Sequence, residues 1–272
     1  MKREEITACV VRVGGTNCDA ETKRAFEDIG AKAEIVHLND LRRQGNLMDY
    51  HVLVFPGGFS YGDYVRAGAI LARSAVAQLG GALKRFAKEE RPILGICNGF
   101  QVLVEAGLLP GFDRLSKPPE AALAPNVPIG YHCMWVNLRH DNKGKCVFTA
   151  KVKKNAILRI PVAHGEGRFL FEKNKQDRQL ERLCENDQLV FRYCGENGED
   201  AYGRFPVNPN GSLHDIAGIC DPSGTIFGLM PHPERAHYGW QQSDWTRKSE
   251  PDKYGDGRLI FESVVEHLAK KF

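Results

Sequence analysis

The chain has 272 residues, with 37 Lys plus Arg against 34 Asp plus Glu, a formal net charge of +3. At 42% hydrophobic and 26% charged residues it is long and apolar enough to bury a core without disulfides or structural metals, which excludes wholesale disorder. The near-neutral balance shows no basic stripe for nucleic acid, and no apolar run approaches the ~20 residues of a membrane helix, so a cytoplasmic protein with neither partner is expected.

In chain order, Ala8–Val13 is a short β-branched run and reads as a strand. Asp19 offers a helix N-cap, with Thr22, Ala25, Phe26 and Ile29 at helical spacing and Gly30 as a stop. Ala33–Leu38 and His51–Phe55 are further strands, the second ending at Pro56-Gly57-Gly58. Ala67 to about Glu89 predicts a long helix with a weak point at Gly80-Gly81. Pro92–Ile96 is a fourth strand, and Asn98–Leu109 returns to helical spacing. Repeated β-α units predict an α/β fold, a doubly wound and mostly parallel sheet with helices on both faces.

From about Pro128 the pattern becomes β-rich. Tyr131–Leu138, Phe169–Phe171, Leu189–Tyr193, Ile216–Cys220 and Ile226–Leu229 are short strand candidates, and Asp221-Pro222-Ser223-Gly224 is a hairpin turn between the last two. Leu259–Phe272 is an amphipathic helix with apolar positions at 260, 261, 264, 265 and 268. No linker stands out, so residues 1–272 are read as one domain with a polar insertion at about 237–257. That insertion carries Trp240, Trp245 and Tyr254 and begins three residues after Glu234, so its start is expected beside the active-site rim; it reads either as a solvated surface loop or as a segment that packs along the rim and contacts a partner.

None of the 8 cysteines forms a C-x-x-C pair, so no metal site is expected and most should be buried free thiols. Cys97 is different. In Pro92-Ile-Leu-Gly95-Ile-Cys97-Asn98-Gly99-Phe-Gln101 a buried strand runs into a Cys, a Gly and a helix. This is the arrangement of a nucleophile elbow, in which small residues let strand and helix pack around a sharp turn. The helix N-terminus there favours an anion.

A cysteine nucleophile needs a base, and the base needs an orienting partner. His232, in Gly228-Leu-Met-Pro231-His232-Pro233-Glu234, ends a strand in a rigid context, and Glu234 is placed to hold the far ring nitrogen. The Gly57-Gly58 turn is the third element. A glycine there can aim a backbone N–H at the thiol, so Gly58 and Asn98 are the candidate oxyanion-hole donors.

Together these pieces resemble the class I (triad-type) glutamine amidotransferases. Val11–Asp19, Gly58–Tyr64, Ile160–Phe169, Asn208–Ser212 and Ile216–Ile219 look like one member family, the glutamine amidotransferase subunit of phosphoribosylformylglycinamidine synthase. Gly14 departs from that pattern, and the polar stretch after Arg235 is longer than in the shortest relatives. The resemblance implies a flavodoxin-like fold and glutamine as substrate. Cys97 would form a γ-glutamyl thioester, His232 would move the protons, and Glu234 would orient His232. Gln101 and the loop His164–Gly167, with Gly165 and Glu166, are the candidate binders of glutamine's polar ends.

The remaining half of such a reaction is missing from the chain. There is no G-x-x-x-x-G-K-[ST], and no G-x-G-x-x-G follows a strand. The resemblance therefore implies no cofactor in this chain. ATP and Mg would sit on a synthetase large subunit, with a small bridging subunit between the two. The residues themselves leave open a glutaminase subunit for another acceptor, an autonomous Cys-His γ-glutamyl hydrolase, and a non-catalytic flavodoxin-like binding module in which Cys97 is a core thiol.

Overall fold

The computed structural model describes residues 1–113, 118–247 and 254–271. Along the chain run β1 (Thr7–Arg12), α1 (Asp19–Glu27), β2 (Lys32–His37), α2 (Leu38–Gln44), β3 (Val52–Phe55), α3 (Ala69–Lys88), β4 (Ile93–Ile96) and α4 (Asn98–Glu105). Then follow β5 (Ala121–Ala124), β6 (His132–His140), β7 (Ile157–His164), β8 (Arg168–Phe171), α5 (Gln176–Glu185), β9 (Leu189–Cys194), β10 (Ile216–Cys220), β11 (Ile226–Leu229) and α6 (Arg258–Lys271).

Nine strands form one sheet in the order β2-β1-β3-β4-β11-β10-β9-β6-β7. The pairs from β2 to β11 are parallel, and those from β11 to β7 are antiparallel. The chain thus carries the expected parallel α/β half and a β-rich continuation of the same sheet, with β5 and β8 as a separate antiparallel pair. Every residue of β3, β4 and β11 is buried. That is what a parallel strand covered on both faces requires, and it accounts for their continuous apolar runs. Among the described residues no helix is long and apolar enough to cross a membrane.

Several boundaries differ from the sequence reading. The N-cap position of α1 is Cys18; Asp19 is the first helical residue, and its carboxylate pairs with Arg12. Leu38 opens α2 instead of closing β2. α4 stops at Glu105 because Gly107 takes a left-handed φ of 72° and the Leu108 N–H returns to the Leu103 carbonyl, a Schellman-type end. β7 holds Pro161 within a strand, which is tolerated because β7 is the sheet edge.

The Asp221–Gly224 turn stands as expected, with the Asp221 carboxylate accepting from the N–H groups of Ser223, Thr225 and Ile226. α6 buries Ile260, Phe261, Val264, Val265 and Leu268, the predicted face; Phe272 lies outside the described residues. In the polar insertion, residues 248–253 also lie outside them, and the rest forms short 3₁₀ turns at Gly239–Gln241 and Trp245–Arg247.

Gly80-Gly81 does not interrupt α3, whose buried face of Leu71, Ala72, Ala75, Leu79, Leu83 and Phe86 carries the helix past it. Gly81 is exposed, with open space where a Cβ would stand. Gly81→Ala should therefore stabilise the chain by about 0.5–1 kcal/mol. Denaturant unfolding checks this, and a lower midpoint would contradict it.

Candidate active site

β4 has β3 on one side and β11 on the other, all running the same way. The loops after these strands therefore leave the same sheet edge, the usual place for a site in such folds. Cys97 follows β4, His232 follows β11 within three residues, and Gly57-Gly58 follow β3.

The turn at Cys97 is strained, with φ 49° and ψ −103°. Such a backbone persists only where its surroundings force it. Here the forcing is steric: a Cβ on Gly99 would stand 1.8 Å from the Phe55 carbonyl oxygen, and one on Gly95 would stand 2.6 Å from the Gly99 oxygen. Strand and helix touch backbone to backbone, and the chain must reverse sharply between them. The Cys97 N–H donates to the Leu229 carbonyl, tying the elbow to β11, and the thiol lies 3.7 Å from the Ala163 carbonyl.

His232 and Glu234 are each 2% exposed, and His232 Nδ1 donates to Glu234 Oε1 at 2.6 Å. Burial works against a charged ring, but the Glu234 carboxylate, and then Cys97, outweigh it and hold the His232 pKa well above its ordinary value. Nε2, the nitrogen on the other side of the ring, is buried and has no partner within hydrogen-bond geometry among the described residues. Cys97 nevertheless raises the ring's pKa both by its charge and by hydrogen bonding, so the thiol and the ring face each other although the contact is longer than an ordinary hydrogen bond. A Cβ on Gly57 would stand 2.7 Å from His232 Cε1, so the ring is wedged against the β3 turn.

Gly58 adopts φ 141°, a conformation that L side chains rarely take. Among the described residues neither its N–H nor that of Asn98 donates to a protein group. The Asn98 side chain joins the two loops: Oδ1 accepts from the Ser60 N–H at 3.3 Å, and Nδ2 donates to Gln101 Oε1 and Asp63 Oδ1.

A cavity of about 150 Å³ opens on Cys97, lined also by Gly58, Asp63, Gln101, Tyr131 and His164–Glu166. It is well below the ~300 Å³ at which pockets for drug-sized ligands begin. Within the loop, Gln101 Nε2 donates to the Glu166 carbonyl at 2.5 Å and Glu166 Oε2 accepts from the Ala67 N–H at 3.1 Å. Gln101 therefore lines the cavity, but its amide is spent between Asn98 and Glu166, so it couples the elbow helix to the loop. The N–H groups of Gly165 and Glu166 make no protein hydrogen bond among the described residues. Burial pushes the Asp63 carboxyl above the usual carboxylate range. A larger cleft of about 740 Å³ lies between β5, β8 and α5, and no triad residue reaches it.

The described part of the insertion packs beside Glu234. Gln241 Nε2 donates to the Glu234 carbonyl, Trp240 stacks on Tyr238 at 5.0 Å, and among the described residues no cavity-lining residue comes from this segment. The described part of the segment thus lies beside Glu234 and not on the cavity wall.

Cys18, which no local motif marks, also reaches the site. Its sulfur lies 3.9 Å from His232 Nδ1 and accepts from the Arg235 guanidinium at 3.2 Å. Burial raises its pKa, so it is a thiol beside the ring and not a competing thiolate. Cys18, His232 and Glu234 bring donor atoms within 4.8 Å of one another, close enough for a metal ion, but the Arg235 guanidinium beside the sulfur disfavours a cation there.

Because the His232 pKa is raised, the ring contributes stability that is fully present below its unfolded pKa of about 6.5 and is lost as pH rises through the higher folded value. Glu234→Gln removes the largest raising cause. It should flatten that alkaline loss relative to the parent, read as urea midpoints from pH 6 to about pH 9. An unchanged alkaline slope would show that the pair does not hold the proton.

Comparison with known proteins agrees with this geometry. A family model described as CobB/CobQ-like glutamine amidotransferase domain matches residues 5–268. The chain is 49% identical over 280 aligned positions to the phosphoribosylformylglycinamidine synthase subunit PurQ of Archaeoglobus fulgidus, covering 99% of this chain and 100% of that one. It is 45% identical to the PurQ subunit of Aquifex aeolicus, covering 82% and 87%. A solved structure of PurLQS from Thermotoga maritima superposes with a TM-score of 0.73 at 34% identity, covering 97% of this chain and 99% of that one. The chain belongs to the family of glutamine amidotransferases that form the PurQ subunit of phosphoribosylformylglycinamidine synthase.

Proposed function

We infer that this chain is the glutaminase subunit of phosphoribosylformylglycinamidine synthase. It hydrolyses glutamine to glutamate and ammonia and passes the ammonia to an ATP-dependent synthetase, which converts formylglycinamide ribonucleotide to formylglycinamidine ribonucleotide in purine biosynthesis. One observation carries the reading of the site: a strained Cys97 elbow opens on an amino-acid-sized cavity, beside a buried His232 held by Glu234 at 2.6 Å.

In this reading Cys97 Sγ attacks the carboxamide carbon of glutamine. The N–H groups of Asn98 and Gly58 receive the developing oxyanion, and neither has a protein acceptor to give up among the described residues. The proton lost by the Cys97 thiol is held on His232 Nε2, the form that the raised His232 pKa favours, and is delivered from there to the leaving ammonia, while Glu234 keeps the ring oriented and stabilises its charge. Water then attacks the γ-glutamyl thioester, with His232 as base, and glutamate leaves. The unspent N–H groups of Gly165 and Glu166 suit the substrate carboxylate, and the Asp63 and Glu166 carboxylates suit its ammonium group.

The ATP and Mg belong to the synthetase, and the PurLQS relative supports a third, small subunit in the complex. A cytoplasmic location fits the cysteines, all eight of which are free.

Glutamate release should be slow for the isolated chain and should rise when synthetase, nucleotide and formylglycinamide ribonucleotide are added. The Gly58 donor sits in the loop after β3, where partner binding can complete it. Cys97→Ser should abolish the release. A high rate that the synthetase leaves unchanged would favour an autonomous hydrolase, and near-normal turnover in Cys97→Ser would remove the triad.

A further inference from the structure

The loop Ala163–Gly167 is held on nearly every side by hydrogen bonds, and four of them meet at one residue, Asn126. Asn126 follows β5 and is fully buried. Its backbone N–H donates to the Gly165 carbonyl at 2.9 Å. Its Nδ2 donates to the carbonyls of His164 at 2.8 Å and Gly130 at 3.0 Å. Its Oδ1 accepts from the Gly167 N–H at 2.9 Å and faces His164 Nδ1 at 3.2 Å. The remaining loop carbonyls are taken by Tyr131 at Ala163, Gln101 at Glu166, and Asn210 with Ser212 at Gly167. What the loop has left over are the N–H groups of Gly165 and Glu166, both residues of the cavity wall.

The Asn126 contacts also settle its own orientation and that of its neighbour. A main-chain N–H can only donate, so the atom facing Gly167 is the amide oxygen; two carbonyls can only accept, so the atom facing them is the nitrogen. His164 Nδ1, opposite the oxygen, must then carry the proton. Burial, reinforced by His232 and His132, lowers the His164 pKa to about 3, so the ring is neutral at working pH. Its Nε2 is buried and has no hydrogen-bond partner among the described residues, an acceptor held in reserve. The ring lies flat on Gly167, where a Cβ would stand 2.3 Å from its Cε1.

We infer that Asn126 is a positioning residue for glutamine: it fixes the loop His164–Gly167 with the Gly165 and Glu166 N–H groups unspent, and it sets His164 as the Nδ1–H tautomer. This rests on the reading of that loop as the substrate-binding loop. Among the described residues Asn126 makes no hydrogen bond to Cys97 or His232, so its effect falls on recognition of the amino-acid end of glutamine and spares the reactivity of Cys97.

The test uses Asn126→Asp, nearly isosteric but with an acceptor turned onto two carbonyls, and Asn126→Ser, which removes the donor, each assembled with the synthetase. KM for glutamine should rise about tenfold or more, the scale of losing one hydrogen bond to a charged group, with a smaller change in kcat. Inactivation by a diazoketone analogue of glutamine should slow in proportion. Alkylation of Cys97 by iodoacetamide, which has no amino-acid end, should stay within about twofold of the parent.

An unchanged KM, or equal slowing by both electrophiles, would overturn the inference while leaving the glutaminase reading intact. Failure of the parent to release glutamate would instead overturn that reading. Nitrogen-15 spectra of histidine-labelled parent chain test the tautomer without any variant. Nε2 of His164 should carry no proton, and an Nε2–H tautomer would contradict the assignment.

Discussion

The site depends on β4 lying between two parallel strands. Parallel neighbours send their following loops to one sheet edge, so Cys97, His232 and Gly58 arrive together although they are far apart in sequence. The same packing bends Cys97. The Gly99 backbone presses on the Phe55 carbonyl, and the Cys97 N–H is pinned to Leu229, so the turn has no relaxed alternative that keeps both neighbours. The strain is stored by β3 and β11 and presents the sulfur to the cavity. Without the close approach of α4 to β3, Cys97 would be an ordinary core thiol at the end of a strand.

The second constraint is electrostatic. A buried imidazole is normally neutral, as His164 is. His232 is equally buried, but it has a carboxylate at 2.6 Å and holds its proton well above the ordinary range. Two histidines in one site are thereby pushed in opposite directions, the neutral one beside the loop and the proton-holding one beside the thiol. Separated pKa values of this kind distinguish a group that moves protons from one that positions others. Cys18 and Arg235 complete the surroundings of the ring, and the raised Cys18 pKa keeps a second thiolate from competing for it.

Much of this was legible in the residues. The apolar runs of β3, β4 and β11, the small residues around Cys97 and the Pro-His-Pro-Glu segment are local signals, each written within a few positions. The features that were not legible lack such a signal. α5 is mostly polar, with Leu183 its sole buried residue, and β5 is a four-residue strand of three alanines and a leucine. β7 is disguised by Pro161, which only an edge strand tolerates. Cys18 and Asn126 reach the site through topology: Cys18 follows β1, which pairs with β3, and Asn126 follows the small β5–β8 ribbon. Nothing in their neighbouring residues announces either one. For the polar insertion, nearness to Glu234 in sequence placed its start beside the site, and there Gln241 holds the main chain of Glu234.

The central claim is that a γ-glutamyl group passes through Cys97. The most direct measurement is to quench the complex with acid during turnover of isotopically labelled glutamine and map the label by peptide mass spectrometry. The account predicts a γ-glutamyl mass on the peptide containing Cys97 and on no other cysteine. Label on a different residue, or none while glutamate is being released, would contradict it.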